Sequence, residues 1–175
     1  MLITAHPPFA LAAHRAMSSL TELVRFVEDD SFPAVTRAYA LCVGYGWAST
    51  PMRSLDRERW VKLFSQFGFI TNRPDVVGGP QGTVRLYRAA TTEFKRGLSW
   101  SDSREYAERY LARRPEAGPH QLYACLVEPD WVLAVVQRTR RDGRARAVEW
   151  IVDVPARACV DIAVDVPASK AILER

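Results

Sequence analysis

Residues 84–114 read VRLYRAATTEFKRGLSWSDSREYAERYLARR, and a change of period inside them decides the fold. Val84-Arg-Leu-Tyr-Arg88 alternates apolar and polar side chains, the two-residue repeat of a half-buried strand. From Ser103 to Arg113 the apolar positions Tyr106, Ala107, Tyr110 and Leu111 fall on one helical stripe. Asp102 and Glu105 place negative charge at the start of that helix, where unpaired backbone amides favour it. Downstream, Gln121–Val127, Trp131–Val136, Val148–Val154 and Ala158–Val164 are short runs of branched and aromatic residues bounded by Pro, Gly and Asp, which predicts strands. The connections are too short for repeated helical crossovers, so mostly antiparallel pairing is expected.

Upstream the chain reads as helical. Ser19-Leu-Thr-Glu22 has the form of a capping box, followed by Leu20, Leu23, Val24 and Val27 at helical spacing. Ser31-Phe-Pro33 offers a second helix start, with Val35, Tyr39, Cys42 and Val43 as its apolar stripe. A third helix carries Trp60, Phe64 and Phe67, with Ser54 as the expected cap and Gly68 suited to the left-handed position after its end. The Pro- and Gly-rich TNRPDVVGGPQG that follows marks a loop. The expected organisation is a helical portion over residues 1–70, a linker over 71–83 and an α+β unit over 84–175, all in one compact body.

Composition narrows the function classes. With 48% apolar residues among 175, the chain can bury one sizeable core. No segment has the apolar length of a membrane span, and no signal-like start is visible, so a cytoplasmic protein without membrane contact is expected. Cys42, Cys125 and Cys159 stand far apart, and His6, His14 and His120 are scattered, a pattern that fits neither a disulfide framework nor a metal site. The formal net charge of +4 resides in RTRRDGRAR, residues 138–146, where five arginines accompany one aspartate. The rest of the chain is neutral as a set.

Three short segments resemble one family. Gly97-Leu-Ser99-Trp-Ser101, followed by a helix with Ala107 and Tyr110 in an A-x-x-F/Y pattern, is similar to the strand-serine motif of the arginine-serine-glutamate class of ADP-ribosyltransferases. Leu86-Tyr87-Arg88 resembles that family's first core strand, which ends in an arginine, and Val148-Glu149-Trp150 resembles the late strand carrying its catalytic glutamate. The pieces stand in the family's order over some seventy residues. The resemblance implies a split antiparallel β-sandwich with the helical portion packed on it, and NAD as a substrate. It also implies Arg88, Ser99 and Glu149 as the catalytic trio, with Tyr87, Ala89, Trp100, Ser101, Tyr106 and Tyr110 beside Arg88 and Ser99 in binding the dinucleotide.

The chemistry of each residue type is compatible with those roles. An arginine can grip a pyrophosphate bidentately with a charge that does not titrate away. Cleavage of the nicotinamide–ribose bond passes through an oxocarbenium-like transition state, which a fixed carboxylate stabilises. A serine hydroxyl can orient that carboxylate or the ribose, and Ser101 is expected to cap the following helix. Taken singly, Arg88 would read as a solvated charge, Glu149 as a side chain turned outward by alternation and the two serines as a strand end with a helix cap.

Two departures bear on the target. Relatives that modify arginine side chains carry an acidic residue or glutamine two positions before the glutamate, where this chain has Ala147. Trp100 takes the centre of the serine motif, where threonine is common. The loop before the glutamate contacts the acceptor in the resembling family, which makes Arg138, Arg140, Arg141, Arg144 and Arg146 candidate acceptor-binding residues for nucleic acid or an acidic protein face. The competing reading is a solvated hairpin tip turned by Asp142-Gly143. The resemblance also implies a bacterial or phage toxin, defence factor or host modifier, the roles of small chains that look like this family. Alternatives for function are an NAD glycohydrolase, a transferase that removes 2'-phosphate from RNA on the same fold, and a catalytically silent nucleotide or nucleic-acid binding module.

Overall fold

A computed structural model of the chain describes residues 19–47, 55–73, 75–76, 78–111, 120–139 and 145–163, with the side chains of residues 46–47, 138–139 and 145–147 left aside. Three helices lead: α1 (Leu20–Glu28), α2 (Ala34–Trp47) and α3 (Arg57–Ser65). The strands β1 (Ile70–Thr71), β2 (Val84–Ala90) and β3 (Ser99–Trp100) follow, then α4 (Arg104–Leu111). The chain continues with β4 (Gln121–Val127), a 3-10 turn over Pro129–Trp131, β5 (Val132–Thr139), β6 (Ala145–Val152) and β7 (Asp161–Ile162). The protein is α+β, with two sheets ordered β1-β5-β6-β3 and β2-β4-β7.

The helix starts follow local chemistry. Ser19 caps α1 by accepting from the Glu22 amide at 3.2 Å, and the Pro33 carbonyl takes the first amides of α2, from Thr36 and Arg37. The cap of α3 is Asp56, which accepts from the Arg59 amide at 2.7 Å. Its carboxylate faces the orphan amides of the helix start, a stronger acceptor than a hydroxyl. Ser54, the expected cap, lies outside the described residues. Gly68 takes the left-handed conformation at φ 65°, as its place after the helix suggested.

The stripe expected on α2 is met in part, with Cys42 in the core cluster and Val35 and Tyr39 packed against it. Ala38, Leu41, Cys42 and Tyr45 are buried, whereas Val35, Tyr39 and Val43 are only partly so. Hydrophobicity alone favoured the valines, but the helix turns its small residues and its Cys–Tyr pair to the densest contacts. Strand limits also differ from the sequence expectation. Ile70–Thr71, expected at the boundary of the helical portion and the linker, forms a strand parallel to β5, with Ile70 opposite Ala134. The Asn72 side chain extends this two-residue strand by imitating a peptide: its Nδ2 donates to the Gln137 carbonyl and its Oδ1 accepts from the Gln137 amide. The last predicted strand shrinks to Asp161–Ile162 on the edge of the second sheet.

Two apolar clusters result. One joins Leu23, Val27, Leu41, Trp60, Leu63 and Phe64 of the helices to Ile70, Leu98, Ala134 and Ile151 of the first sheet. The other lies between the sheets, around Leu86, Trp100, Val127, Val135 and Val152. Alternation along β6 separates them: Val148, Trp150 and Val152 belong to the inter-sheet cluster, whereas Ile151 turns to the helices. Glu149 is in phase with Ile151. A register shift between Val132 and Ala134 lets both Leu133 and Ala134 face the helical layer.

Candidate functional site

The three residues suggested by sequence stand on three strands that meet side by side. β3 pairs with β6, with Ser99 opposite Ile151 and Trp100 opposite Trp150. β2 joins the other edge of β3 through one antiparallel bridge, in which Tyr87 and Ser101 exchange backbone hydrogen bonds of 2.8 and 2.9 Å. This bridge fastens the second sheet to the first at the site.

Across that junction a continuous chain of contacts runs from the arginine to the glutamate. Arg88 donates from Nη1 to the Ser99 carbonyl oxygen, and the Ser99 hydroxyl donates to Oε1 of Glu149. Arg88 is in phase with Leu86 and Ala90, both buried in the inter-sheet cluster, so it stands on an inward face. An inward guanidinium must be hydrogen-bonded to be tolerated. Here Nε also donates to the Phe94 carbonyl at 3.0 Å, so the loop between β2 and β3 wraps around the charge. Burial pulls the Arg88 pKa below the ordinary guanidinium value, while the proximity of Tyr45, Glu149 and Tyr110 acts the other way. The group remains a permanent cation.

These contacts revise one expectation. Two backbone carbonyls occupy Nε and Nη1, so the guanidinium does not offer its whole fork to a pyrophosphate. An anion would meet its charge and the N–H groups that remain.

The other predicted binding residues divide. Tyr110 is exposed on α4 and close enough to Arg88 to influence its charge. Tyr106, Tyr87 and Ala89 are half-buried. Trp100 is only 2% exposed, packed in the inter-sheet cluster with Nε1 donating to the Gly97 carbonyl at 2.7 Å, so its ring is part of the core rather than the lining of an open surface. Ser101 is also buried, and the cap of α4 is Ser103, whose Oγ accepts from the Tyr106 amide. Ser101 Oγ accepts from the Ser103 amide one step earlier, shaping the turn into the helix.

Arg140, Arg141 and Arg144 lie outside the described residues, and for Arg138 and Arg146 only the backbone is described. The register nevertheless fixes where their hairpin begins. Thr139 stands opposite Ala145, and Val136 opposite Glu149. Arg146 is therefore three residues from Glu149 along one strand, about 10 Å.

Sequence reasoning missed the contribution of α2. Cys42 is buried, and its thiol is pushed up to about 12, first by burial and then by the Glu149 charge. Tyr45, one helical turn on, is 2% exposed, with its ring set edge-on against Trp60 at 5.0 Å and Phe64 at 5.6 Å. The helix thus brings a thiol and a phenol toward the glutamate and the arginine. A cysteine and a tyrosine spaced i, i+3 on the apolar side of the helix were the visible signal, and core packing accounted for them equally well.

Compared with protein families, with characterised proteins and with solved structures, the chain matches none of them.

Proposed function

We propose that the chain is an NAD-dependent mono-ADP-ribosyltransferase that cleaves the nicotinamide–ribose bond and passes ADP-ribose to an anionic acceptor. The observation that carries this reading is the linkage of Arg88, Ser99 and Glu149, drawn from three separate segments into one hydrogen-bonded chain. The division into two sheets, with the three leading helices packed on the first and α4 against β2 and β4 of the second, accords with the split sandwich that the resemblance implies.

In this reading Ser99 Oγ fixes the Glu149 carboxylate by donating to Oε1. Its other oxygen lone pairs face the ribose, where they hydrogen-bond a hydroxyl and stabilise the positive charge that grows on the anomeric carbon as nicotinamide departs. Arg88 supplies a fixed positive charge near that carboxylate, which attracts the pyrophosphate. Tyr110, exposed at the edge of the site, offers an aromatic face to a base. The arginine hairpin, beginning three residues before Glu149, suits an acceptor that carries phosphates or carboxylates.

The test is nicotinamide release from NAD by the purified protein, alone and with RNA, DNA or acidic protein added. Glu149→Gln should lower the rate by roughly 100- to 1,000-fold, the range for loss of one preorganised charge-stabilising group, while NAD binding stays within a few-fold. Absence of release by the wild-type protein under all these conditions, or equal rates for both proteins, would sink the proposal. Release with free ADP-ribose as the sole product would turn the reading toward a glycohydrolase, and dependence on 2'-phosphorylated RNA toward the phosphate-removing transferase. Substituting the five hairpin arginines by glutamine should weaken labelling of an anionic acceptor at low salt and leave release into water unchanged.

A further inference from the structure

We infer that Gly97 is a positioning residue for Arg88: the absence of a side chain there makes the space in which the guanidinium lies, and so sets where its charge stands relative to Glu149. The functional part of this inference rests on the transferase reading above, while the geometric part stands without it.

A Cβ built on Gly97 would overlap the Arg88 guanidinium, with Nη2 nearest, Cζ next and Nε at 3.1 Å. The backbone of Gly97 is not in the left-handed region, so alanine is conformationally acceptable there, and the nearest conflict is with the arginine side chain. Nor can Gly97 retreat easily. Its amide donates to the Phe94 carbonyl at 3.0 Å, and its own carbonyl accepts from the buried Trp100 indole at 2.7 Å. The Phe94 carbonyl is shared: it accepts from the Gly97 amide and from Arg88 Nε. The turn that brings Gly97 close is thus closed on the same oxygen that holds the guanidinium. A methyl group at position 97 must be relieved by swinging Arg88 out, which breaks its bonds to Phe94 and Ser99 and moves the charge away from the carboxylate.

The experiment uses the full chain as wild type, Gly97→Ala, Arg88→Lys and the double variant. Lysine lacks the fork and Nη2, and its flexible unbranched chain can draw Nζ away from the place that Arg88 Cζ takes, so Arg88→Lys relieves the overlap. In ¹⁵N-labelled protein the Nε–H signal of Arg88, assigned by its loss in Arg88→Lys, should be shifted in Gly97→Ala and exchange with solvent more than tenfold faster. NAD affinity, measured by calorimetry, should fall roughly ten- to hundredfold in Gly97→Ala, as for loss of a charge-assisted hydrogen bond. The same change should cost less than about threefold when added to Arg88→Lys. Equal costs in the two backgrounds, or an unmoved Nε–H signal, would overturn the inference. Should Gly97→Ala alone fail to fold, recovery of folded protein in the double variant supports the inference, and failure of both overturns it. A wild type that binds no NAD would defeat the transferase reading, while the Nε–H signal would still decide the placement of Arg88.

Discussion

The two apolar clusters share the first sheet yet differ in what they admit. Between the sheets the contacts are those of branched strands and the Trp100 ring, with Leu86, Val127, Val135 and Val152 nearly or wholly inaccessible. On the helical side, large rings and leucines pack around Trp60 and Phe64, but the same face of the sheet also presents Ser99 and Glu149, with Cys42 and Tyr45 opposite. One β-strand therefore serves both faces through its two-residue alternation: Trp150 and Val152 pack between the sheets, and Glu149 meets Ser99 on the helical side. A charged group survives beside a core only where partners are built around it: the Ser99 hydroxyl serves Glu149, and the carbonyls of Phe94 and Ser99 serve Arg88.

The sharpest test of that division removes the ring on which α2 rests. Trp60 is fully buried and touches both Tyr45 and Phe64. Trp60→Ala should cost about 3–5 kcal/mol in urea unfolding, and any folded fraction should show weakened NAD turnover, because Tyr45 loses the surface that orients it toward the arginine. Val152→Ala on the opposite face of the sheet should cost about 2 kcal/mol, from two buried methyl groups and the space they leave. Its turnover at a temperature where it is fully folded should match wild type within about threefold. A Val152→Ala protein that is stable but inactive would show that the two faces are not separable.

A smaller effect is expected from the hydroxyl that links the strands. Ser99→Ala leaves the Glu149 carboxylate without the donor at Oε1, and a hydrogen bond to a charged group contributes about 1.5–3 kcal/mol. Since Ser99 is half-buried, water replaces part of that, so stability should fall by about 1 kcal/mol while nicotinamide release drops roughly tenfold with KM little changed. A rise in KM at constant kcat would instead place Ser99 in ground-state binding.

How far the sequence revealed this arrangement depends on the kind of signal. Glu149 was legible because a carboxylate between Val148 and Trp150 breaks an apolar run, and alternation then gives it a face. The face itself was not legible: only tertiary pairing puts Ile151 in the cluster of Leu41 and Trp60 rather than between the sheets. Helix α3 was read from Trp60 and Phe64, but Asp56 was overlooked as its cap because Ser54 also satisfied the pattern. Strand β1 was hidden because two residues are too few to show a period, and a side-chain amide, Asn72, completes it. Arg88 was placed correctly beside Ser99, yet its bonds to two backbone carbonyls follow from a turn at Phe94–Gly97 that no spacing rule announces. The same holds for Cys42 and Tyr45, whose relevance appears only when α2 is laid on the sheet.

The thiol of Cys42 offers the most delicate probe of how closely α2 approaches the glutamate. Burial is the larger cause of its upward shift and the Glu149 charge the second, both favouring the neutral thiol. From the ordinary value of 9.0 the native thiol moves to about 12, so below pH 9 it is protonated in the folded and unfolded states alike and contributes no pH dependence. Above pH 9 the unfolded chain releases this proton while the folded chain keeps it, and stability falls by up to about 1.4 kcal/mol per pH unit until the native thiol itself titrates. Cys42→Ala removes that slope, so the stability difference between wild type and variant should shrink steadily from pH 9 to 11, whatever constant cost the lost sulfur imposes. Lysines and tyrosines titrate in the same range, but they do so in both proteins and cancel in the difference. Repeating the pair in a Glu149→Gln background should delay nothing and advance the native titration only slightly, because the charge is the lesser cause. A large advance would mean that carboxylate and thiol are nearer neighbours than burial allows, and an unchanged difference across the range would mean that α2 opens to water at alkaline pH.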